Sequence, residues 1–277
     1  MEKESITKVC QMALKKKELL HVNPLQYIIR AALSGIYIGF AIVLCFRIGQ
    51  FFYEVHSPAT SLLNGIFFGL ALILIIYGGA ELFTGNTMYF TIASLKKETT
   101  WKDALMNWVT CYAGNLLGVV FFSVLISLTG LFDSISYDHL LLNIVSIKMS
   151  LPASELFFRA ILCNWLVCLA IWIPMQAKGD AAKVMIIMLL VFTFFISGYE
   201  HSIANLSLFT LALAIPHADT INVAGVIHNI IPVTAGNIIG GGFFVGALYA
   251  YLTSKQRSLN VESPIVVRHI NSNKNKI

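Results

Sequence analysis

Charge is what this chain has least of. Only 12% of its 277 residues are Asp, Glu, Lys or Arg, about half the usual share of a soluble domain, while 57% are hydrophobic. A water-soluble core of this size does not absorb so much apolar sequence, so the surplus faces lipid. Cysteine is scarce and unpatterned. Cys10, Cys45, Cys111, Cys163 and Cys168 are odd in number and lack metal-ligand spacing, so they read as buried small residues, and neither a metal nor a cofactor is implied. Enzyme signatures are missing too. There is no His-Glu-x-x-His, no Gly-x-Ser-x-Gly, no Walker loop and no histidine pair placed to hold haem, which argues against a protease, an ATPase or a cytochrome and for a protein that is not an enzyme. The opening stretch MEKESITKVCQMALKKKELLHVNP has no apolar core or cleavage site of a signal peptide, so the first apolar segment is expected to act as an uncleaved insertion signal. No basic folded domain exists to bind nucleic acid.

What is present is a series of long uncharged runs, among them 31–46, 57–80, 104–132, 160–177, 184–199 and 220–254. Two shorter runs, 82–95 and 202–216, continue their predecessors across one charged patch. About 20 residues span a bilayer as a helix. The runs therefore predict an all-α membrane protein with six spans, near 28–52, 62–94, 103–129, 155–176, 184–214 and 227–252. Lysine and arginine gather before the first span, between the second and third, between the fourth and fifth, and after the sixth. The positive-inside rule then puts both termini in the cytoplasm of a multi-pass plasma-membrane protein. The expected organisation is a cytoplasmic amphipathic segment 1–27, one channel domain 28–254 and a disordered cytoplasmic tail 255–277. The basic N-terminal segment is expected to lie on the membrane surface rather than to gate anything.

The chain repeats itself. Arg30-Ala31 and Ala41-Ile42 recur as Arg159-Ala160 and Ala170-Ile171; Gly79, Glu81 and Asn86 recur as Gly198, Glu200 and Asn205; Asn107, Gly114, Asn115 and Gly118 recur as Asn229, Gly236, Asn237 and Gly240, all at matched spacing. The repeats cover 28–129 and 155–252, with three spans each. An odd number of spans sets the copies in opposite orientation, an inverted repeat with a site near the midplane. The second span of each copy is interrupted by glycine and polar residues, at 78–86 and 197–205. Such breaks are tolerated at bilayer depth only where the backbone is buried in protein or lines a cavity.

At those breaks the residues divide by role. Glu81, Glu200, Asn86 and Asn205 are expected to be structural, holding the broken backbone or gluing helices together, as are Asn115 and Asn237. His201 is the one histidine at a break, where an imidazole can donate a hydrogen bond to a passing anion or exchange a proton near neutral pH. Lys148 is either a snorkelling lysine or an electrostatic lure at the outer mouth.

The segments Glu81-Leu82-Phe83-Thr84-Gly85-Asn86, Cys163-Asn164-Trp165-Leu166-Val167-Cys168, Gly198-Tyr199-Glu200-His201 and Pro232-Val233-Thr234-Ala235-Gly236-Asn237 resemble the signature segments of the formate/nitrite transporter family, most closely its nitrite branch. The resemblance covers about residues 20–255 and implies an aquaporin-like six-helix protomer in a homopentamer, one pore per protomer, moving small monovalent anions of weak acids. It implies that His201 is the central pore histidine and Thr84 its partner, that Lys148 is the family's lysine, and that Asn164 and Asn237 are polar pore residues. It implies apolar constrictions at Phe68, Leu72, Leu82, Phe83, Val167 and Phe194. The mechanism expected is nitrite passage as the neutral acid. Formate or hydrosulfide as the cargo, or a membrane subunit that transports nothing, are the alternatives.

Overall fold

The computed structural model describes residues 2–259; of the expected tail, the part from Asn260 onward lies outside the described residues. Among these the chain is helical and has no strand. The helices are α1 (Glu2–Val22), α2 (Pro24–Tyr53), α3 (Thr60–Tyr77), α4 (Phe83–Leu95), α5 (Trp101–Ser127), α6 (Leu140–Ser150), α7 (Ala153–Trp172), α8 (Asp180–Ile196), α9 (Ser202–Leu213), α10 (Val223–Ile239) and α11 (Leu248–Leu259). A 3₁₀ turn, Ile173–Gln176, extends α7, and a π-helical stretch, Gly240–Ala247, joins α10 to α11.

Helix starts follow local chemistry. The Asn23 side chain accepts from the Gln26 amide ahead of α2, whose first residue is Pro24; Thr100 and Asp103 close a capping box on α5; the Asn222 side chain accepts from Gly225 on α10. Five stretches are long and apolar enough to cross a membrane: α2, α3, α5, Ala153–Gln176 and Val223–Ser254. With large apolar side chains exposed on their flanks, such as Leu62, Val109, Phe121, Phe158, Ile231 and Phe243, they make this a multi-pass membrane protein. The fifth predicted span is different. Its first half, α8, has 17 residues and is not among the five.

The predicted spans 62–94 and 184–214 are each two helices rather than one. α3 ends at Gly78, and Gly79 then takes φ +68°; α8 ends at Ser197, and Gly198 takes φ +69°. Only glycine adopts that left-handed conformation without strain. The Ala80 amide donates to Ile75 O (3.0 Å) and the Tyr199 amide to Phe194 O (3.2 Å), closing a Schellman turn at both sites. α4 and α9 restart at Phe83 and Ser202. α4 is 13 residues long, about 20 Å, and 12 of them are buried.

Close packing around the breaks relies on glycine where backbones meet. A Cβ at Gly118 would collide with the backbone of Ala32, and one at Gly240 with the backbone of Ile161. α4 packs beside the π-helical stretch and α7, while α9 packs against α2 and α5. Each short helix is thus clasped by the other half of the chain.

The N-terminal helix departs from its expected place on the membrane surface. Ile6, Val9, Cys10 and Ala13 of α1 are buried in one cluster with Met88, Tyr89 and Ile92 of α4. Lys16 pairs with Glu81, and Lys17 with Asp103 at 2.8 Å. The apolar face covers protein, not lipid.

Candidate functional site

The broken backbone is held by two asparagines. The Asn115 amide donates to Ala31 O and Glu81 O, both at 2.8 Å, and its carbonyl accepts from the Phe83 amide at 3.0 Å. The Asn237 amide donates to Ala160 O (2.8 Å) and Glu200 O (3.0 Å), and its carbonyl accepts from the Ser202 amide at 2.8 Å. The first amide of each short helix, orphaned by geometry and cut off from water, is thereby satisfied.

The carboxylates are also built in. Glu81 accepts from Lys16 and Asn86, and Asn86 donates in turn to Tyr27 Oη, as does Asn107. Glu200 accepts from Lys148 at 2.7 Å and from Asn205, which also donates to Asn229 Oδ1; Asn229 closes the ring on Lys148 O at 2.8 Å. Lys148 is therefore neither loose nor snorkelling. α6 places it on the break. Tyr27, Asn107, Asn229 and Lys16 complete these clusters, and sequence reasoning assigned them no role there. The available signal was the matched Asn107 and Asn229, and a lysine upstream of each Arg-Ala pair.

Between the clusters stands His201. It caps α9, its Nδ1 accepting from the Ala204 amide at 3.1 Å, and its Nε2 lies 3.0 Å from Thr84 Oγ1. With Nδ1 an acceptor, the neutral ring carries its hydrogen on Nε2. Phe194 stacks on the imidazole, with centroids 6.2 Å apart, and meets Phe68 edge-on at 6.0 Å.

Three cavities follow one another past this ring. The first, about 250 Å³, is lined by Thr60, Asn64, Lys148 and Asn205 with Phe46, Leu140 and Ile144. The second, about 20 Å³, has His201 as the sole polar residue among Phe68, Leu72, Leu82, Val167 and Phe194. The third, about 450 Å³, is lined by Leu72 and Leu82 and then by Lys15, Lys16, Arg30, Glu81 and Lys183. The first shares Phe68, Phe194 and His201 with the second, and the second shares Leu72, Ile75 and Leu82 with the third.

Not every expected pore residue faces this route. Phe83 packs edge-on against Tyr112 at 4.9 Å, and Thr84 is fully buried behind the imidazole. Asn164 and Asn237 are fully buried as well. Asn164 donates to Thr84 O, Thr87 Oγ1 and Asn237 O, and Asn237 spends its amide on the break. The pore role expected of these two asparagines gives way to a packing role, because their polar atoms hold buried backbone and none of the three cavities touches them.

Comparison with known proteins bears on what the route carries. A family model described as Formate/nitrite transporter matches residues 3–251. The chain is 46% identical over 256 residues to the Uncharacterized transporter YwcJ of Bacillus subtilis, covering 92% of this chain and 100% of that one. It is 38% identical over 257 residues to the Nitrite transporter NirC of Escherichia coli, covering 91% and 92%. Among solved structures, an FNT family ion channel superposes with a TM-score of 0.86 at 36% identity, covering 90% of this chain and 99% of that one. A pentameric formate channel with formate bound superposes with a TM-score of 0.70 at 32% identity, covering 83% and 97%.

Proposed function

Because the chain belongs to the formate/nitrite transporter family, we propose that it conducts nitrite and similar small weak-acid anions past His201. The observation that carries this is the imidazole itself, the sole polar lining of a waist otherwise made of Phe68, Leu72, Leu82, Val167 and Phe194.

A bare anion meets a steep barrier there. A charged side chain at the bilayer centre costs about 2.5–3.5 kcal/mol on insertion scales, and more by other measures. Neutralising the anion removes most of it. In the resting protein both ring nitrogens are engaged, Nδ1 by the cap and Nε2 by Thr84. An arriving anion exchanges with Thr84 for the Nε2 hydrogen bond instead of gaining a wholly new one. That keeps binding shallow enough for release, as conduction requires. The anion then crosses as, or nearly as, the neutral acid, with a proton accompanying it. A negative interior opposes anion entry by about 2.3 kcal/mol per charge per 100 mV, and the proton cancels that cost.

In this reading α3 with α4, and α8 with α9, act as broken spans, for six in all, and the matched contacts of Asn115 with Asn237 and Glu81 with Glu200 mark two inverted copies, 28–129 and 155–252, of one channel domain. Both termini lie in the cytoplasm. The protomers assemble as a pentamer, as the formate channel does. Lys148 with Glu200 and Lys16 with Glu81 flank the route at its two wider ends.

The test is stopped-flow pH change in proteoliposomes given nitrite, formate, hydrosulfide or chloride. Rapid proton movement with nitrite, lost on replacing His201, is the expected result. Flux with formate exceeding that with nitrite would move the assignment to formate, which the superposition on the formate channel favours. No flux with any of the four would sink the transport reading.

A further inference from the structure

The two wide cavities contain matched residues of the repeat, yet their charges differ: Arg30 lines the third, whereas its counterpart Arg159 does not line the first. Counted from Gly79 and Gly198, Lys183 of α8 stands where α3 has Asn64, and each lines its own cavity. Counted from Arg30 and Arg159, Gln26 stands where α7 has Glu155. Glu155 pairs with Arg159 at 2.7 Å and takes up that charge. Gln26 has no charge to offer. Among the described residues Arg30 has no carboxylate partner, and its guanidinium rests on Gly79 O at 3.4 Å, long for a hydrogen bond.

The consequence is electrostatic. The third cavity is lined by Lys15, Lys16, Arg30 and Lys183; Lys16 pairs with Glu81 and Lys183 with Asp180 at 3.0 Å, which leaves Lys15 and Arg30 as the lining cations without a carboxylate partner among the described residues. The first has Lys148 as its one lysine or arginine, already bonded to Glu200. A cavity walled by one sign of charge concentrates the opposite ion. Arginine does more than add charge. Its planar fork presents paired N–H donors that fit two oxygens on one centre, whereas lysine acts as a point charge.

We infer that Arg30 forms a capture site in the α1-side cavity for planar two-oxygen anions, a class that includes nitrite and formate. The site rests on the reading of the cavities as an anion route, but it is separate from His201. It makes the two mouths unequal. The α1-side mouth holds these anions more tightly than the α6-side mouth, and it distinguishes them from single-atom anions such as chloride.

The experiment is saturation transfer from the purified full-length protein in nanodiscs to the proton signal of formate, with nitrite and chloride as competitors. The expected result is a formate signal that nitrite displaces and chloride at equal ionic strength does not. Arg30→Gln and Gln26→Glu each lower it about threefold to tenfold, and Arg159→Gln leaves it unchanged. Gln26→Glu matters because it supplies the partner that Arg159 has, while leaving Arg30 on Gly79. Arg30→Lys is expected to lower formate and nitrite binding while chloride competition rises. Wild-type signal in both Arg30→Gln and Gln26→Glu, or an equal loss in Arg159→Gln, would overturn the site. Wild-type formate binding in Arg30→Lys would overturn recognition by the fork. Nothing crosses a membrane in this measurement. Formate bound at Arg30 by a protein that gives no flux would therefore sink the transport reading alone.

Discussion

At His201 a substitution can separate two jobs that one ring performs. Asparagine is a strong helix N-cap, so His201→Asn keeps a side-chain acceptor for the Ala204 amide and removes the Nε2 group that reaches Thr84. Thermal stability is expected to stay within about 1 kcal/mol of wild type, while nitrite-driven proton movement in vesicles falls at least tenfold. Wild-type acidification rates in that variant would remove His201 from the mechanism. Asn115 gives the opposite outcome. Asn115→Leu leaves Glu81 O and the Phe83 amide without the side chain that satisfies them, while Ala31 O keeps its place in the α2 ladder. At about 1–3 kcal/mol for each unsatisfied buried group, the loss is about 2–6 kcal/mol. It should appear as a collapse of the monodisperse peak on size exclusion. That Glu81, Glu200 and Asn115 belong to the matched parts of the chain was readable in the sequence because the repeat supplied two instances of each. Asn164 was not. A buried asparagine near a pore looks the same in sequence whether it faces the passage or the backbone, and only geometry separates the two. Arg30 was visible only as one end of a repeat, since its meaning depends on Gln26 lacking the charge of Glu155.

Elements carry a further set of consequences. α6 is an apolar helix of 11 residues, too short to span a bilayer, and it lies between the third and fourth predicted spans, where the sequence reading placed no helix. Its start is capped by His139, whose Nδ1 accepts from the Leu141 amide at 3.2 Å. Burial holds the His139 pKa below its ordinary value, with Arg47 adding to the effect and Glu54 and Asp138 opposing it. The fold therefore prefers the neutral ring and binds fewer protons than the unfolded chain between the two pKa values. The resulting stability is complete above about pH 6.5 and is lost as pH falls through the lowered value. Amide protection factors over 140–150, with the intrinsic pH dependence of exchange divided out, are expected to fall between pH 7 and pH 5 in the wild type and to stay flat in His139→Asn. An equal fall in that variant would assign the effect to another group. α1 teaches a different lesson. Ile6, Val9, Cys10 and Ala13 follow the spacing of a helical apolar face, which serves lipid or protein equally well. What tipped it to protein is Lys16 meeting a carboxylate 65 residues away, a contact no local pattern announces. The breaks at Gly79 and Gly198, by contrast, were readable from glycine clustered with polar residues.

For the molecule as a whole, the apolar composition and run lengths were enough to give the membrane class, because lipid imposes a length on every helix that faces it. Run lengths do not reveal that α4 and α9 are too short to cross alone, since their apolar residues merge with the runs before them. Exposed flanks such as Leu105, Leu117 and Met185 meet either lipid or neighbouring copies. Native mass spectrometry should return five times 30.6 kDa for the assembled particle. A monomer mass in several mild detergents would remove the pentamer. The clasping of α4 also has a timetable. Its neighbours in α7 and the π-helical stretch lie far downstream, the latter beginning at Gly240. At about 5–20 residues per second, roughly 7–30 s of synthesis separate α4 from the π-helical stretch. Throughout that interval a helix of about 20 Å sits at a membrane of about 30 Å with α1 and α5 beside it but its α7 and π-helical side uncovered. The first half of this protein must therefore wait for the second at the translocon, so a ribosome that stalls midway leaves behind a strandable fragment rather than half a channel.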